Sequence, residues 1–309
     1  MSQIFIIGHK SPDLDSVAGA ISYAKLKNTI EKTKKYIPVI AGNINKETKY
    51  SLQKFNFNTP KILQSAKNKK IILVDHNEFS QAVLDIEKSQ IIEIIDHHKL
   101  DFKYNEPIKV KIKPWGSVCS IICQEFFNYN IKINKNLAGL MLSAILVDTV
   151  ITKSPTCTKK DIKIIKQLSN IAKIDNWKNF GMELFKVRSS VSKLSEIEII
   201  KSDYKDFLLK EGKFGIGQVE TVNLKEFDNR KEKILEELKK IKTKNNYHTV
   251  ILFLTDIINE GSLFLIATDD LKNIEKAFNK KFDNNKTYIK GIISRKKQVI
   301  PKLSKIFDK

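Results

Sequence analysis

Three short apolar runs in this 309-residue chain each end in acidic and histidine residues, and that pattern constrains the fold more than any other feature. Phe5-Ile6-Ile7 leads into GHKSPDLDS, with His9, Asp13 and Asp15. Ile71 to Val74 leads into Asp75-His76-Asn77-Glu78, and Ile91 to Ile95 into Asp96-His97-His98. The runs are apolar on both faces, as strands of a parallel sheet covered on both sides by helices are. Four of the five histidines fall at these run ends, each beside a carboxylate. Ligands of open parallel sheets bind outside the carboxyl ends of the strands, so the three motifs are placed to converge.

The alternation continues around them. A strand over 4–7, a helix over about 16–27 capped by Asp15 or Ser16, a strand over 37–41 and a helix over 47–55 precede the strands 71–74 and 91–95. Helical periodicity then covers about 117–129, 136–149, 159–172 and 176–187. The small, polar stretch 188–193 is the best linker candidate. After it come strands over 213–219, 250–255, 262–267 and 288–293, with a charged helix over about 224–242. The expected architecture is α/β: a parallel, doubly wound sheet domain over 1–188, a hinge linker over 189–195, and a smaller mixed-sheet α/β domain over 196–309.

Composition removes several classes. Apolar residues make up 41% of the chain, which excludes disorder. No apolar run reaches the roughly 20 residues of a membrane span; the longest, 137–151, is interrupted by Ser143 and Asp148 and reads as a buried helix. Cys119, Cys123 and Cys157 are too few for a disulfide framework, and the first two read as buried thiols. The net charge of +20 comes from lysine spread over the whole chain without aromatic interleaving. It therefore reads as a compositional bias rather than a nucleic-acid footprint, although such a field favours capture of a small anion. A candidate ligand at residue 9 leaves no place for a cleavable leader, so a cytoplasmic protein without membrane or nucleic-acid partners is expected.

The residue types at the run ends suggest metal chemistry. His9, Asp13 and Asp15 can be presented from one turn, Asp75 and His97 from neighbouring strands, and Asp148 from the end of a buried run, where a carboxylate wants a cation or a partner. Four carboxylates in a small volume stay ionised only if cations neutralise them. A mixed imidazole and carboxylate set suits Mn²⁺, Fe²⁺, Co²⁺ or Zn²⁺ better than Ca²⁺. Six ligands are too many for one open site; two metals about 3.5–4 Å apart are the natural arrangement for phosphoryl hydrolysis. Taken singly, each aspartate reads as a helix cap or turn residue and each histidine as a surface residue; three such places together argue against that. His76 and His248 read as structural. Ser294-Arg295-Lys296-Lys297 follows an expected strand and precedes Pro301, so it reads as a loop at a strand end. Its guanidinium and ammonium groups suit a phosphate, the alternative being a solvated basic run.

The ordered motifs GHKSPDLDS, VDHNE, DHH and Asp148-Thr149 resemble the DHH phosphoesterase superfamily, and Ser294-Arg295-Lys296-Lys297-Gln298 resembles the SRKKQ signature of family II, manganese-dependent inorganic pyrophosphatases. The resemblance runs from residue 8 to residue 301 and implies a DHH domain followed by a DHHA2-type domain. It implies hydrolysis of pyrophosphate to two phosphates, with closure of the second domain over the site. By that resemblance His9, Asp13 and Asp75 hold one Mn²⁺, and Asp15, Asp75, His97 and Asp148 hold the other, with Co²⁺ a possible substitute. Asp96 orients an imidazole, His98 faces the substrate, and Lys205, Arg295 and Lys296 bind phosphate that arrives with Mg²⁺. A homodimer through the N-terminal domain is also implied. A short-chain exopolyphosphatase or another DHH phosphodiesterase is the alternative activity; the latter's glycine-rich signature has no counterpart among the 11 glycines here.

Overall fold

The computed structural model describes residues 3–188, 191 and 194–308, apart from the side chain of Lys296. It divides into two compact units, Met1–Arg188 and Ser189–Lys309. Most of the expected hinge, including Ser189, Ser190, Ser192 and Lys193, lies outside the described residues.

The first unit is built on β1 (Ile4–Ile7), β2 (Tyr36–Ile40), β3 (Lys61–Ile62), β4 (Lys70–Val74), β5 (Gln90–Asp96) and β6 (Lys109–Ile112). All pair in parallel, in the order β3-β2-β1-β4-β5-β6. Its helices are α1 (Leu14–Ile30), α2 (Lys46–Lys54), α3 (Val118–Asn128), α4 (Lys135–Asp148), α5 (Lys159–Ala172) and α6 (Trp177–Arg188). The strand order reverses between β1 and β4, the topological switch point at which such sheets bind ligands. Register brings the strand ends level: Ile7 pairs with Leu73, and Val74 with Ile95.

The two faces of this sheet are covered differently. Ile6, Ile72, Val74 and Ile95 pack with the apolar sides of all six helices, whereas Ile7, Ile71, Leu73, Ile91 and Ile94 pack under Leu63, Ala66, Ala82, Val83 and Ile86, which belong to loops and 3₁₀ turns. The sequence predicts helices on both faces. Right-handed crossovers put the β1-to-β3 connections on one face and the β4-to-β6 connections on the other, and the latter are too short for a full helix. The edge strands β3 and β6 were not expected; both are short and mostly exposed, without an apolar run to mark them.

The second unit has the sheet order β11-β10-β9-β8-β7, with β7 (Tyr204–Leu209), β8 (Gly212–Thr221), β9 (Thr249–Asp256), β10 (Gly261–Thr268) and β11 (Lys286–Lys290). Only the β8–β9 pair is parallel, so the sheet is mixed, as the sequence predicts. One face packs on α7 (Glu196–Lys201) and α8 (Lys231–Lys244), the other on α9 (Leu271–Phe278) and α10 (Ile300–Phe307). The helix expected over 224–242 is a 3₁₀ turn, Leu224–Phe227, followed by α8. At the break Arg230 turns back to donate to the Val191 and Leu194 carbonyls and to Glu196.

One close approach joins this scaffold to its strand-end motifs. A Cβ on Gly8 would lie 1.7 Å from Ser16 Oγ and 2.8 Å from Ser16 Cβ, so only glycine lets the end of β1 pass the first turn of α1. Gly8→Ala is expected to cost about 1–3 kcal/mol by overpacking and to lower Tm by several degrees; an unchanged thermal melt would show that the contact relaxes freely.

Candidate metal centre

The centre forms where β1, β4 and β5 end beside the C-terminus of α4. Asp75 follows β4 with φ at 63°, a left-handed conformation that aspartate tolerates better than bulkier residues. Its N–H donates to Ile95 O at 3.1 Å, which holds the turn against β5. The buried carboxylate then faces two ways: Oδ2 lies 3.5 Å from His9 Nε2, and Oδ1 lies 3.1 Å from His97 Nε2. On one side, Asp13 Oδ2 is 3.5 Å from His9 Nε2. On the other, Asp148 Oδ2 is 3.5 Å from His97 Nε2, and Asp15, His97 and Asp148 offer ligand atoms within 4.8 Å of one another. All six sequence-predicted residues are thus brought together around one carboxylate.

Each is held by local structure. Asp13, not Asp15 or Ser16 as expected, caps α1: its Oδ1 accepts from Ser16 N at 2.9 Å. Asp15 is drawn into the buried first turn because the start of α3 grips it, with Ser117 Oγ (2.7 Å), Val118 N (2.6 Å) and Cys119 N (3.1 Å) all donating. His97 Nδ1 donates to Trp115 O at 3.0 Å, which turns Nε2 inward. Asp161 supports that loop by accepting from Gly116 N at 3.0 Å. These supports were not singled out from sequence, although Ser117 before an apolar helical run and the Thr158–Asp161 capping box are readable signals. Asp96 Oδ1 accepts from His98 Nδ1 at 2.9 Å, leaving the half-exposed ring to line an open cavity with His9, Asp13, Asp75 and Asp148. His76 donates through Nδ1 to Val74 O at 3.0 Å and also lines that cavity, its Nε2 buried without a hydrogen-bond partner; His248 stacks on Phe214.

The electrostatics are those of a site arranged for cations. Burial opposes a charged His9, yet Asp13 and Asp75 outweigh it and push its pKa up to about 10. Burial likewise opposes a charged His97, and Asp75, Asp15 and Asp148 push it up to about 10. Asp75 is held low by the same two rings in spite of its burial. Burial and the charge of Asp75 raise Asp15 to about 6, and burial with Asp15 and Asp75 drives Asp148 well above the carboxylate range. Asp148 Oδ2 is buried without a hydrogen-bond partner at the negative end of α4. An orphaned carboxylate oxygen there, within a set of imidazole nitrogens and carboxylates, fits a first-row divalent ion.

The expected phosphate-binding residues belong to the second unit. Lys205 is exposed on β7, opposite Ile216. Residues Arg295–Val299 form a π-helical turn that runs into α10, not a loop, because Ser294 caps it and Gln298 folds back. Gln298 Oε1 accepts from Ile293 N and Ser294 N, and its amide donates to Gly291 O. Arg295 is only 8% exposed. Its guanidinium donates to Asp203 Oδ1 (2.7 Å), Asp203 O (2.6 Å) and Ile216 O (3.1 Å), so here its partners are protein groups. The side chain of Lys296 lies outside the described residues.

Residues 3–145 match the model of the DHH family, N-terminal domain, and residues 182–306 match the DHHA2 domain. The manganese-dependent inorganic pyrophosphatase of Methanothrix thermoacetophila is 44% identical over 99% of both chains. The chain belongs to that family. The manganese-dependent inorganic pyrophosphatase of Bacillus subtilis is 38% identical to this family member over 98% of both chains. A Methanococcus jannaschii structure assigned to the family II inorganic pyrophosphatases aligns with a TM-score of 0.66 at 40% identity, covering 99% of this chain and 100% of that one.

The charges set a titration. Without metal, His9 and His97 should stay protonated through pH 8 and titrate near 10, while burial keeps His76 neutral, below the ordinary 6.5. The stability that the raised histidines contribute is fully present below 6.5 and is lost as pH rises toward 10. Histidine NMR of the metal-free protein checks this; ordinary titration of both rings near 6.5 would contradict the described ion pairs.

Proposed function

We propose that this chain is a manganese-dependent inorganic pyrophosphatase, cleaving the P–O–P bridge of pyrophosphate with water to leave two phosphates. The observation that carries the reading is Asp75, with one oxygen toward His9 and Asp13 and the other toward His97. In this reading His9, Asp13 and Asp75 hold one Mn²⁺ and Asp15, Asp75, His97 and Asp148 the other, with Co²⁺ as the closest substitute. Bound there, the metal would supply Lewis acidity and lower the pKa of a bound water. The full-length relatives named for this activity support the substrate and the metal.

The chain's own residues supply the rest. His98, fixed through Nδ1 by Asp96, presents its other nitrogen to the cavity as a donor to the bridging oxygen that leaves. Lys205, Lys296 and Arg295 bind the phosphates of a magnesium complex. Arg295 reaches them by exchanging Asp203 for a phosphate oxygen, one anionic acceptor for another. The small, polar segment 189–195 is the hinge on which the second domain closes over the first to exclude water. A homodimer through the N-terminal domain is supported by the open edge strand β6, where Val110 is 45% exposed. Three unpaired cysteines favour the cytoplasm, and among the described residues no helix is long and apolar enough to cross a membrane.

Phosphate release from pyrophosphate and from tripolyphosphate, with Mn²⁺ restored and Mg²⁺ present, tests the reading: fast cleavage of the shorter substrate is expected, and preference for the longer one points to an exopolyphosphatase. Residues that merely orient metal ligands cost about 10–100-fold when changed. Asp75→Asn should therefore lower kcat/KM by more than about 100-fold and release Mn²⁺, as read by metal analysis after dialysis. Lys296→Ala should leave the Mn²⁺ content unchanged and raise KM; loss of manganese in that variant would sink the division of labour between the domains.

A further inference from the structure

Asn77 follows the Asp75-His76 pair and is 1% exposed, yet the reaction described above gives it no part. Its carboxamide makes three hydrogen bonds. Nδ2 donates to Asp96 Oδ2 at 2.6 Å and to Lys99 O at 2.9 Å, and Oδ1 accepts from Asp101 N at 2.6 Å. The two main-chain partners settle which way the amide faces, because a carbonyl can only accept and an N–H can only donate. Asp96 therefore meets the NH₂ end, and only an ionised carboxylate oxygen or another acceptor is welcome there.

That contact decides how Asp96 is turned. With Oδ2 taken by Asn77, Oδ1 is directed to the main-chain N–H groups of His97 (2.7 Å) and His98 (3.2 Å) and to the His98 ring at 2.9 Å. The remaining bonds of Asn77 tie down Lys99 and Asp101, the residues that follow His98. One side chain from the end of β4 thus fixes both the carboxylate that orients the His98 ring and the loop that carries it.

We propose that Asn77 is a positioning residue for His98, acting through Asp96 and the 97–101 loop so that the outer ring nitrogen is held toward the substrate. The inference rests on the pyrophosphatase reading for the identity of that substrate. A general contribution to stability predicts losses that are independent of His98; positioning predicts losses that vanish when His98 is gone. Asn77→Asp keeps the shape but replaces the donor facing Asp96 by a carboxylate oxygen, and Asn77→Ala removes both functions.

The test is a double-mutant cycle on the full chain loaded with Mn²⁺, comparing wild type, N77D, N77A, H98Q, N77D/H98Q and N77A/H98Q. In the His98 background, either change is expected to lower kcat by about 10–100-fold with little change in Mn²⁺ content; in the H98Q background the further loss should be under about two-fold. An equal loss in both backgrounds, or unchanged kcat in N77D and N77A, overturns the proposal. The His98 Nδ1–H proton, seen by NMR of the metal-free protein where no Mn²⁺ broadens it, gives a readout independent of turnover: it should be protected from exchange in wild type and lose that protection in N77D or N77A. Retained protection in those variants also overturns the proposal. If wild type does not cleave pyrophosphate, the functional reading fails, and the NMR comparison still decides whether Asn77 positions the ring.

Discussion

The first unit is organised around a concentration of negative charge that it cannot keep by itself. Asp13, Asp15, Asp75 and Asp148 are gathered with two imidazoles at the ends of parallel strands, and the protein meets the cost by sharing protons between the rings and Asp75. The shifts at these groups express one conflict: burial disfavours every charge there, and proximity requires some of them. In the proposed reading divalent cations would resolve it, because they would neutralise the carboxylates and accept the ring nitrogens without a proton. The helices that surround the centre serve the same end. The start of α3 donates three hydrogen bonds to Asp15, and the end of α4 leaves Asp148 in need of a partner.

Sheet topology explains why these residues meet. The strand order changes direction between β1 and β4, so connections leave to opposite sides and open a gap at that point. His9 and Asp75 flank that gap directly, and His97 comes from the next strand over. Gly8 permits the approach, since any side chain there would strike Ser16.

Much of this was legible in the sequence, and the reasons are specific. Apolar runs ending in His9, Asp75 and His97 carry both the strand and the candidate ligand in a few adjacent residues. Amphipathic helices such as α5, with its capping box, announce their limits. The unread parts lack such local signals. The edge strands β3, β6 and β7 owe their existence to neighbours that pair with them, and exposure removes the alternation that would reveal them. The basic turn at Arg295–Val299 looked like a loop because Pro301 suggests a break, whereas proline is at home in the first turn of α10. Asn77 was visible in its motif, but its role depends on Asp96 and Lys99, which only the fold brings beside it.

The double duty of Asp13 has a wider consequence. One oxygen begins α1, and the other faces His9 across the centre. Those 17 residues form the longest helix among the described residues, so its start and the charge state of the centre share a carboxylate. If Asp13 holds a metal as proposed, ligation and helix order become two faces of one equilibrium. Filling the centre would then tighten the first turn of α1, and fraying of α1 would loosen a ligand. The exchange of main-chain protons along this helix would become a gauge of metal occupancy, legible far from the metal itself.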